Sequence, residues 1–213
     1  MNGSIKEKID LLRSEVMKGA CERGMGHIAP SLSCVDILGV LSYYPEFEND
    51  TIILSKGHGC YGLYVLRGEW GSGCLEGFGS LGHGLPIAVG IAFGRKLLKK
   101  DGHVFCIVGD GEMQEGSMWE ALNFMQHHKL NNITVIVDNN GLQAMDKVGN
   151  ILSHNLVNRL EAWGLETWVC DGHNQDKIHY ILKFKPQVLI ANTIKGKGYP
   201  EMEGVAKWHY RVP

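Results

Sequence analysis

The sequence predicts an α/β fold in which a parallel sheet carries helices on both faces. Three observations predict it. Short apolar runs rich in Val and Ile, at Thr51–Leu54, Val104–Val108, Ile133–Val137, Thr167–Cys170 and Val188–Ala191, read as buried strands. From Pro86 onward these runs alternate with helix-length segments, the pattern of right-handed βαβ crossovers. Several runs lead directly into Gly, Asp or Asn, beyond the strand ends where open α/β sheets collect ligands.

The elements follow in order. Ile5, Ile9, Leu12, Val16 and Ala20 recur at helical spacing, so the chain opens with an amphipathic helix. A turn at Arg23–His27 precedes a second helical segment over Leu32–Tyr43, stopped before Pro45. The strand Thr51–Leu54 runs into Ser55-Lys56-Gly57-His58, and Tyr61–Leu66 is helical. Arg67–Ser80 is glycine-rich and reads as an irregular loop. Pro86–Lys99 suits a helix with Pro in its first turn and cations near its end. Ser117–Leu130, Asn155–Trp163 and Gln175–Phe184 supply the remaining helices between strands. No internal repeat or linker divides residues 1–213, which are expected to form a single domain.

Composition narrows the class. A formal charge of −2 gives no basic field for nucleic acid and no polybasic patch for a membrane surface. No apolar run approaches the roughly 20 residues of a membrane span, and Met1–Asp10 is too charged for a secretory signal. Cys21, Cys34, Cys60, Cys74, Cys106 and Cys170 form no CxxC pair and no zinc spacing, which suits free thiols in a reducing cytoplasm.

The chemistry concentrates in Val108–Met145. Gly109-Asp110-Gly111 closes one apolar run and Asp138-Asn139-Asn140 the next, with a helical segment between them. Carboxylate and carboxamide oxygens meeting there suit a hard divalent cation that already carries phosphate oxygens. The glycines would let the backbone turn sharply and approach a diphosphate. Either motif alone also serves as a plain turn, and Glu115 also reads as a helix-start carboxylate. His27, His58, His83 and His209 lie in short loops or near the chain's end, and a single histidine there is as ordinary as a cap or a surface residue. Lys195 and Lys197, in Ile194–Gly198, suit either a loop closing over phosphate or a solvated basic loop.

Taken together, GDG, a helix and NN resemble the thiamine-diphosphate motif of the transketolase family. Glu112, Glu115-Gly116 and Trp119-Glu120-Ala121 follow in the family's order. Further segments are similar to family motifs: Gly24-Met25-Gly26-His27, Ser55–Gly59 (SKGHG), Gly79–Gly84 (GSLGHG), Ile194–Gly198 and Trp208-His209-Tyr210. The resemblance implies the diphosphate-binding (PP) module of the thiamine-diphosphate-binding fold. It implies Mg²⁺ held by Asp110, Asn140 and the carbonyl of Leu142, and thiamine diphosphate held by His58, Gly109, Asp110, Gly111, Glu112, Asn140, Leu142 and Lys195. It implies catalytic roles for His27, His58, His83 and His209, and places Glu115 at a subunit interface in a proton relay between active sites.

The implied reaction is transfer of a two-carbon ketol unit from a ketose, or ketose phosphate, to an aldehyde. The pyrimidine-binding and C-terminal domains of a full transketolase have no counterpart in these residues. The resemblance therefore implies the N-terminal subunit of a split transketolase, inactive alone and paired with a second chain as a cytoplasmic α2β2 heterotetramer. Between SKGHG and GSLGHG only Cys60–Phe78 remains, and the PGHPE-type motif of many transketolases is absent. A shorter channel is expected, and with it a sugar or 2-oxo acid other than the usual ketose phosphates. Two other readings stay open: a decarboxylase, acyl transferase or 2-oxo acid dehydrogenase E1 component, and a non-catalytic, cofactor-binding regulatory subunit.

Overall fold

Ser4 opens the first helix with a reciprocal cap. Its hydroxyl accepts the Glu7 N–H while the Glu7 carboxylate accepts the Ser4 N–H. The computed structural model describes residues 3–68, 80–152 and 155–211. Helix α1 (Ile5–Glu22) buries Ile9, Leu12, Val16 and Ala20, the stripe its periodicity predicts. The helix expected over Leu32–Tyr43 is α3 (Val35–Tyr43), and a short helix α2 (Ile28–Ser33), not expected from the sequence, precedes it, the two separated at Cys34. Strand β1 (Thr51–Leu54) and helix α4 (Tyr61–Arg67) follow. Most of the irregular loop expected over Arg67–Ser80 lies outside the described residues.

The alternating part is as regular as its pattern. Its elements are α5 (Gly84–Leu97), β2 (Val104–Gly109), α6 (Gly116–His127), β3 (Ile133–Asn139), α7 (Val148–Ile151), α8 (Leu156–Ala162), β4 (Thr167–Asp171), α9 (Gln175–Lys183) and β5 (Val188–Asn192). Among the described residues the strands form one parallel sheet in the order β1-β2-β3-β5-β4.

Side-chain alternation along the central strands divides the core in two. Phe105, Ile107, Ile136 and Leu189 pack on one face with α1, α2, α3, α4 and α9. Val104, Cys106, Val108, Val135, Val137 and Ile190 pack on the other with α5, α6 and α8. The switch of faces at α9 follows from topology. The chain moves outward from β1 to β4 and then returns to insert β5, so a right-handed crossover must use the opposite face.

The strand ends are one or two residues longer than the apolar runs suggest. Gly109 pairs in register with Asp138, and Asn139 with Asn192. Ladder bonding carries polar residues into the sheet because their side chains find partners at its C-terminal rim. That rim holds the chemistry.

Candidate active site

Asp110 follows the last residue of β2, and Asn140 follows the last residue of β3. The two loops are stitched together: the Asp110 carboxylate accepts Gly111 N–H at 2.7 Å and Gly141 N–H from the neighbouring loop. Gly141 takes the left-handed backbone (φ 74°), whereas Gly111 is right-handed (φ −68°). The expected turn therefore forms at Asp110-Gly111 without a left-handed residue at position 111. Glycine is needed at 111 for space, because a Cβ there would come within 2.8 Å of the Gln143 side chain. A 3₁₀ turn at Glu112–Gln114 then leads into α6.

Asn140 Oδ1 accepts the Leu142 N–H at 3.1 Å. Past it the chain doubles back, with Gln143 N–H donating to Asp146 O at 2.9 Å and a bridge between Leu142 and Lys147. The Leu142 and Gln143 carbonyls consequently face Lys195, whose Nζ lies 3.4 and 3.2 Å from them. Lys195 is 1% exposed, while Lys197 stays nearer the surface beside Glu203. The solvated-loop alternative thus describes Lys197 and fails for Lys195.

Three histidines converge on the same rim from distant parts of the chain. His27 caps α2 in a left-handed conformation (φ 61°), His58 lies in the 3₁₀ turn after β1, and His209 ends the 3₁₀ turn Ala206–His209. Their ring centroids are 5.2–5.8 Å apart. Gly26 permits this approach, since a Cβ there would meet the Tyr210 carbonyl oxygen at 2.3 Å. Lys195 Nζ lies 2.6 Å from His209 Nδ1. The ammonium can only donate, so Nδ1 accepts and His209 carries its proton on Nε2.

These groups line one cavity of about 260 Å³ containing His27, His58, Asp110, Asn140, Leu142 and Lys195, with His209, Gly109–Glu112 and Lys56 also on its wall. Its electrostatics are strongly perturbed. Burial, and then the charge of Asp138, raise the Asp110 carboxyl to about 7. Burial, and then Lys56, lower His58 to about 2; burial, and then Lys195, lower His209 to about 3 and pull His27 down as well. Burial, and then Lys56, bring Lys195 down to about 8. At neutral pH the histidines are therefore neutral, each able to donate one hydrogen bond and accept another.

Not every expected residue lies here. His83 is exposed at the start of α5, bonded to Ser80 Oγ at 2.8 Å, and Glu115 is exposed at the start of α6; neither lines the cavity. Their two turns adjoin, with Ser117 Oγ donating to Gly82 O at 2.7 Å. Glu112 is on the wall as a brace. Its carboxylate accepts Ser55 Oγ at 2.6 Å and Gly82 N–H at 3.0 Å on one oxygen, and Gly109 N–H at 3.1 Å on the other. The sequence reading missed the layer beneath the cavity. There Lys56 and Asp138 form an ion pair, both at most 1% exposed, surrounded by Ser33 and Thr193. Asp138 stood beside the Asn pair and Lys56 inside SKGHG, but only tertiary contact reveals that they touch.

Known proteins resemble this chain in sequence and in fold. Residues 72–211 match the family described as transketolase, thiamine diphosphate binding domain. An apulose-4-phosphate transketolase subunit from Phocaeicola vulgatus is 34% identical, covering 88% of this chain and 82% of that protein. The protein of the same name from Actinobacillus succinogenes is also 34% identical, over 99% and 89%. Human transketolase is 31% identical across 97% of this chain, which spans only 39% of that protein. The crystal structure of Campylobacter jejuni transketolase superimposes with a TM-score of 0.86 at 29% identity, covering 100% of this chain and 41% of that one. The chain belongs to the transketolase family, to which it corresponds as the N-terminal, thiamine diphosphate-binding domain.

Proposed function

We propose that this chain is the diphosphate-binding subunit of a split transketolase. With a separate pyrimidine-binding chain, thiamine diphosphate and Mg²⁺, it would move a two-carbon ketol unit from a ketose to an aldehyde. One observation carries the reading: Asp110, Asn140 and Leu142 line the same cavity as His27, His58, His209 and Lys195. The partner chain is supported by the two relatives named as transketolase subunits, most of whose length this chain spans.

The residues fit the cofactor's charged end. Among the described residues no three His, Cys, Asp or Glu side chains cluster as metal ligands. A cation would instead take a carboxylate oxygen of Asp110, the amide oxygen of Asn140 and the Leu142 carbonyl, with phosphate oxygens completing the set. The buried carboxyl of Asp110, pushed up to about 7, suits this donor set because a cation would favour its ionised form. Gly109–Glu112, His58 and Lys195 are the groups placed to meet diphosphate. Bound thiamine diphosphate would supply the nucleophilic carbon and the electron sink. The chain's own residues orient and move protons: His27, His58 and His209, neutral at the cavity wall, would hydrogen-bond sugar hydroxyls and stabilise developing alkoxide oxygens. His83 and Glu115, exposed where α5 and α6 begin, are assigned to the side facing the neighbouring chain, in an α2β2 assembly. Buried thiols at Cys34, Cys60 and Cys106 support a cytoplasmic setting.

The relatives' name directs the substrate search to carbonyl-bearing sugar phosphates, beginning with apulose 4-phosphate. The test is ketol transfer by the purified chain, the partner chain and their mixture, with Mg²⁺ and thiamine diphosphate. Activity confined to the mixture is expected. Substantial turnover by this chain alone would refute the split. Pyruvate decarboxylation without sugar turnover would favour the decarboxylase reading, and a mixture whose turnover ignored Asp110→Ala would favour the regulatory one.

A further inference from the structure

We propose that Asp138 is a positioning residue for the cation-binding amide of Asn140, with Lys56 as the buried counter-charge that keeps it in place. The inference rests on the assignment of Asn140 as a Mg²⁺ ligand and deepens it. Asp138 lies in β3 one residue before the strand's end and is wholly buried. Its carboxylate gathers donors from four separate segments. Lys56 Nζ, Ser33 Oγ (2.5 Å) and Asn140 Nδ2 (3.3 Å) donate to Oδ2, and the Thr193 hydroxyl donates to Oδ1. Lys56 also donates to the Pro30 carbonyl at 2.7 Å, a second bond that holds its ammonium beside Asp138.

The consequence lies in the symmetry of a carboxamide. Its nitrogen and oxygen ends are almost the same shape, so packing cannot decide which end faces a ligand. Hydrogen bonding can. An ionised carboxylate only accepts, so Asp138 holds the Nδ2 end of Asn140. The Leu142 N–H only donates, so it takes the Oδ1 end. Oδ1 is thereby turned toward the loop that binds Asp110 through Gly141. With the amide reversed, an NH2 group would face the cation and repel it. Asp138 needs to remain an acceptor deep in the protein, and Lys56 makes that arrangement electrically neutral.

Breaking the pair singly would confuse positioning with stability, so the test replaces both members together. Lys56→Met with Asp138→Asn keeps a carbonyl oxygen for Asn140 Nδ2, while Lys56→Met with Asp138→Leu removes every acceptor and keeps the branched outline of the side chain. Each full-length variant is titrated with Mn²⁺ in the presence of thiamine diphosphate, alone and mixed with the partner chain. Free Mn²⁺ is read by electron paramagnetic resonance, and folding is checked by circular dichroism and Tm. The asparagine variant is expected to bind Mn²⁺ within threefold of the wild type, and the leucine variant at least tenfold more weakly. Equal affinities in the two double variants, whether both tight or both weak, overturn the proposal. If the leucine variant does not fold, Ser33→Ala loosens the same carboxylate oxygen without burying a charge. At least twofold weaker Mn²⁺ binding then supports the proposal, and unchanged binding overturns it. Failure of the wild type itself to take up Mn²⁺, alone and in the mixture, refutes the Mg²⁺ assignment and is distinguishable from all of these outcomes.

Discussion

Asp110 and Asp138 sit at the ends of adjacent parallel strands, yet their surroundings push them in opposite directions. Burial works against ionisation at both. At Asp138 it is overcome by Lys56, Ser33 and Thr193, which hold the carboxyl below its usual range. At Asp110 two backbone amides are not enough, and the nearby Asp138 adds repulsion, so the carboxyl rises to about 7. The difference separates a carboxylate whose charge is matched inside the protein from one whose charge suits an external cation. A buried acid by itself identifies neither; the partners do.

Four measurements would break or sharpen that contrast. The largest effect is expected from Lys56→Met alone, which strands the Asp138 charge in the core. Unfolding stability should fall by about 3–5 kcal/mol, measured by denaturant titration. A loss below about 1 kcal/mol would mean that the pair is not the structural half of the comparison. Asp110→Asn should do the reverse. Turnover of the reconstituted complex is expected to drop about 100-fold, equivalent to about 2.7 kcal/mol of transition-state stabilisation. Denaturant midpoints should stay close to the wild type; a large stability loss with unchanged turnover would exchange the roles of the two residues.

Glu112 is intermediate: internal donors brace its carboxylate as they do at Asp138, yet burial still raises it as at Asp110. Glu112→Gln sets an NH2 group against the Gly109 N–H and should cost about 2 kcal/mol in stability, which thermal unfolding at several protein concentrations would reveal. The smallest effect concerns His58. Its folded value of about 2 lies far below the ordinary 6.5, so below pH 6.5 the unfolded chain takes up a proton that the native chain refuses. Stability is therefore intact above that pH and is lost as pH falls. At pH 5.5 the loss is about 1.4 kcal/mol. His58→Asn should flatten this part of the pH–stability curve; an unaltered slope between pH 7.5 and 5.5 would show that His58 is not buried as a neutral ring.

Some of this was legible from the residues in order. The parallel sheet followed from strand–helix alternation, because apolar period and β-branching act over a few neighbours. Gly109–Gly111 and Asn139-Asn140 marked a ligand rim because strand ends and loops are written consecutively. Helix α2 was not visible, since its six residues are all buried and Pro30, Ser31 and Ser33 leave no apolar stripe to mark it. Nor was the separation of Lys195 from Lys197, two lysines in one glycine loop of which one is buried and the other half-buried.

By itself, then, the sequence determined the fold class, the family and the rim on which the chemistry sits, all of which depend on local patterns and on motif order. Tertiary structure decided which groups act together. It joined Lys56 to Asp138 across 82 positions of chain, brought His27, His58 and His209 within 6 Å of one another, and left His83 and Glu115 outside their cavity. The physical reason is that charge, desolvation and hydrogen-bond polarity depend on distances in space, and these are set only when the sheet and its two helical layers close around the core.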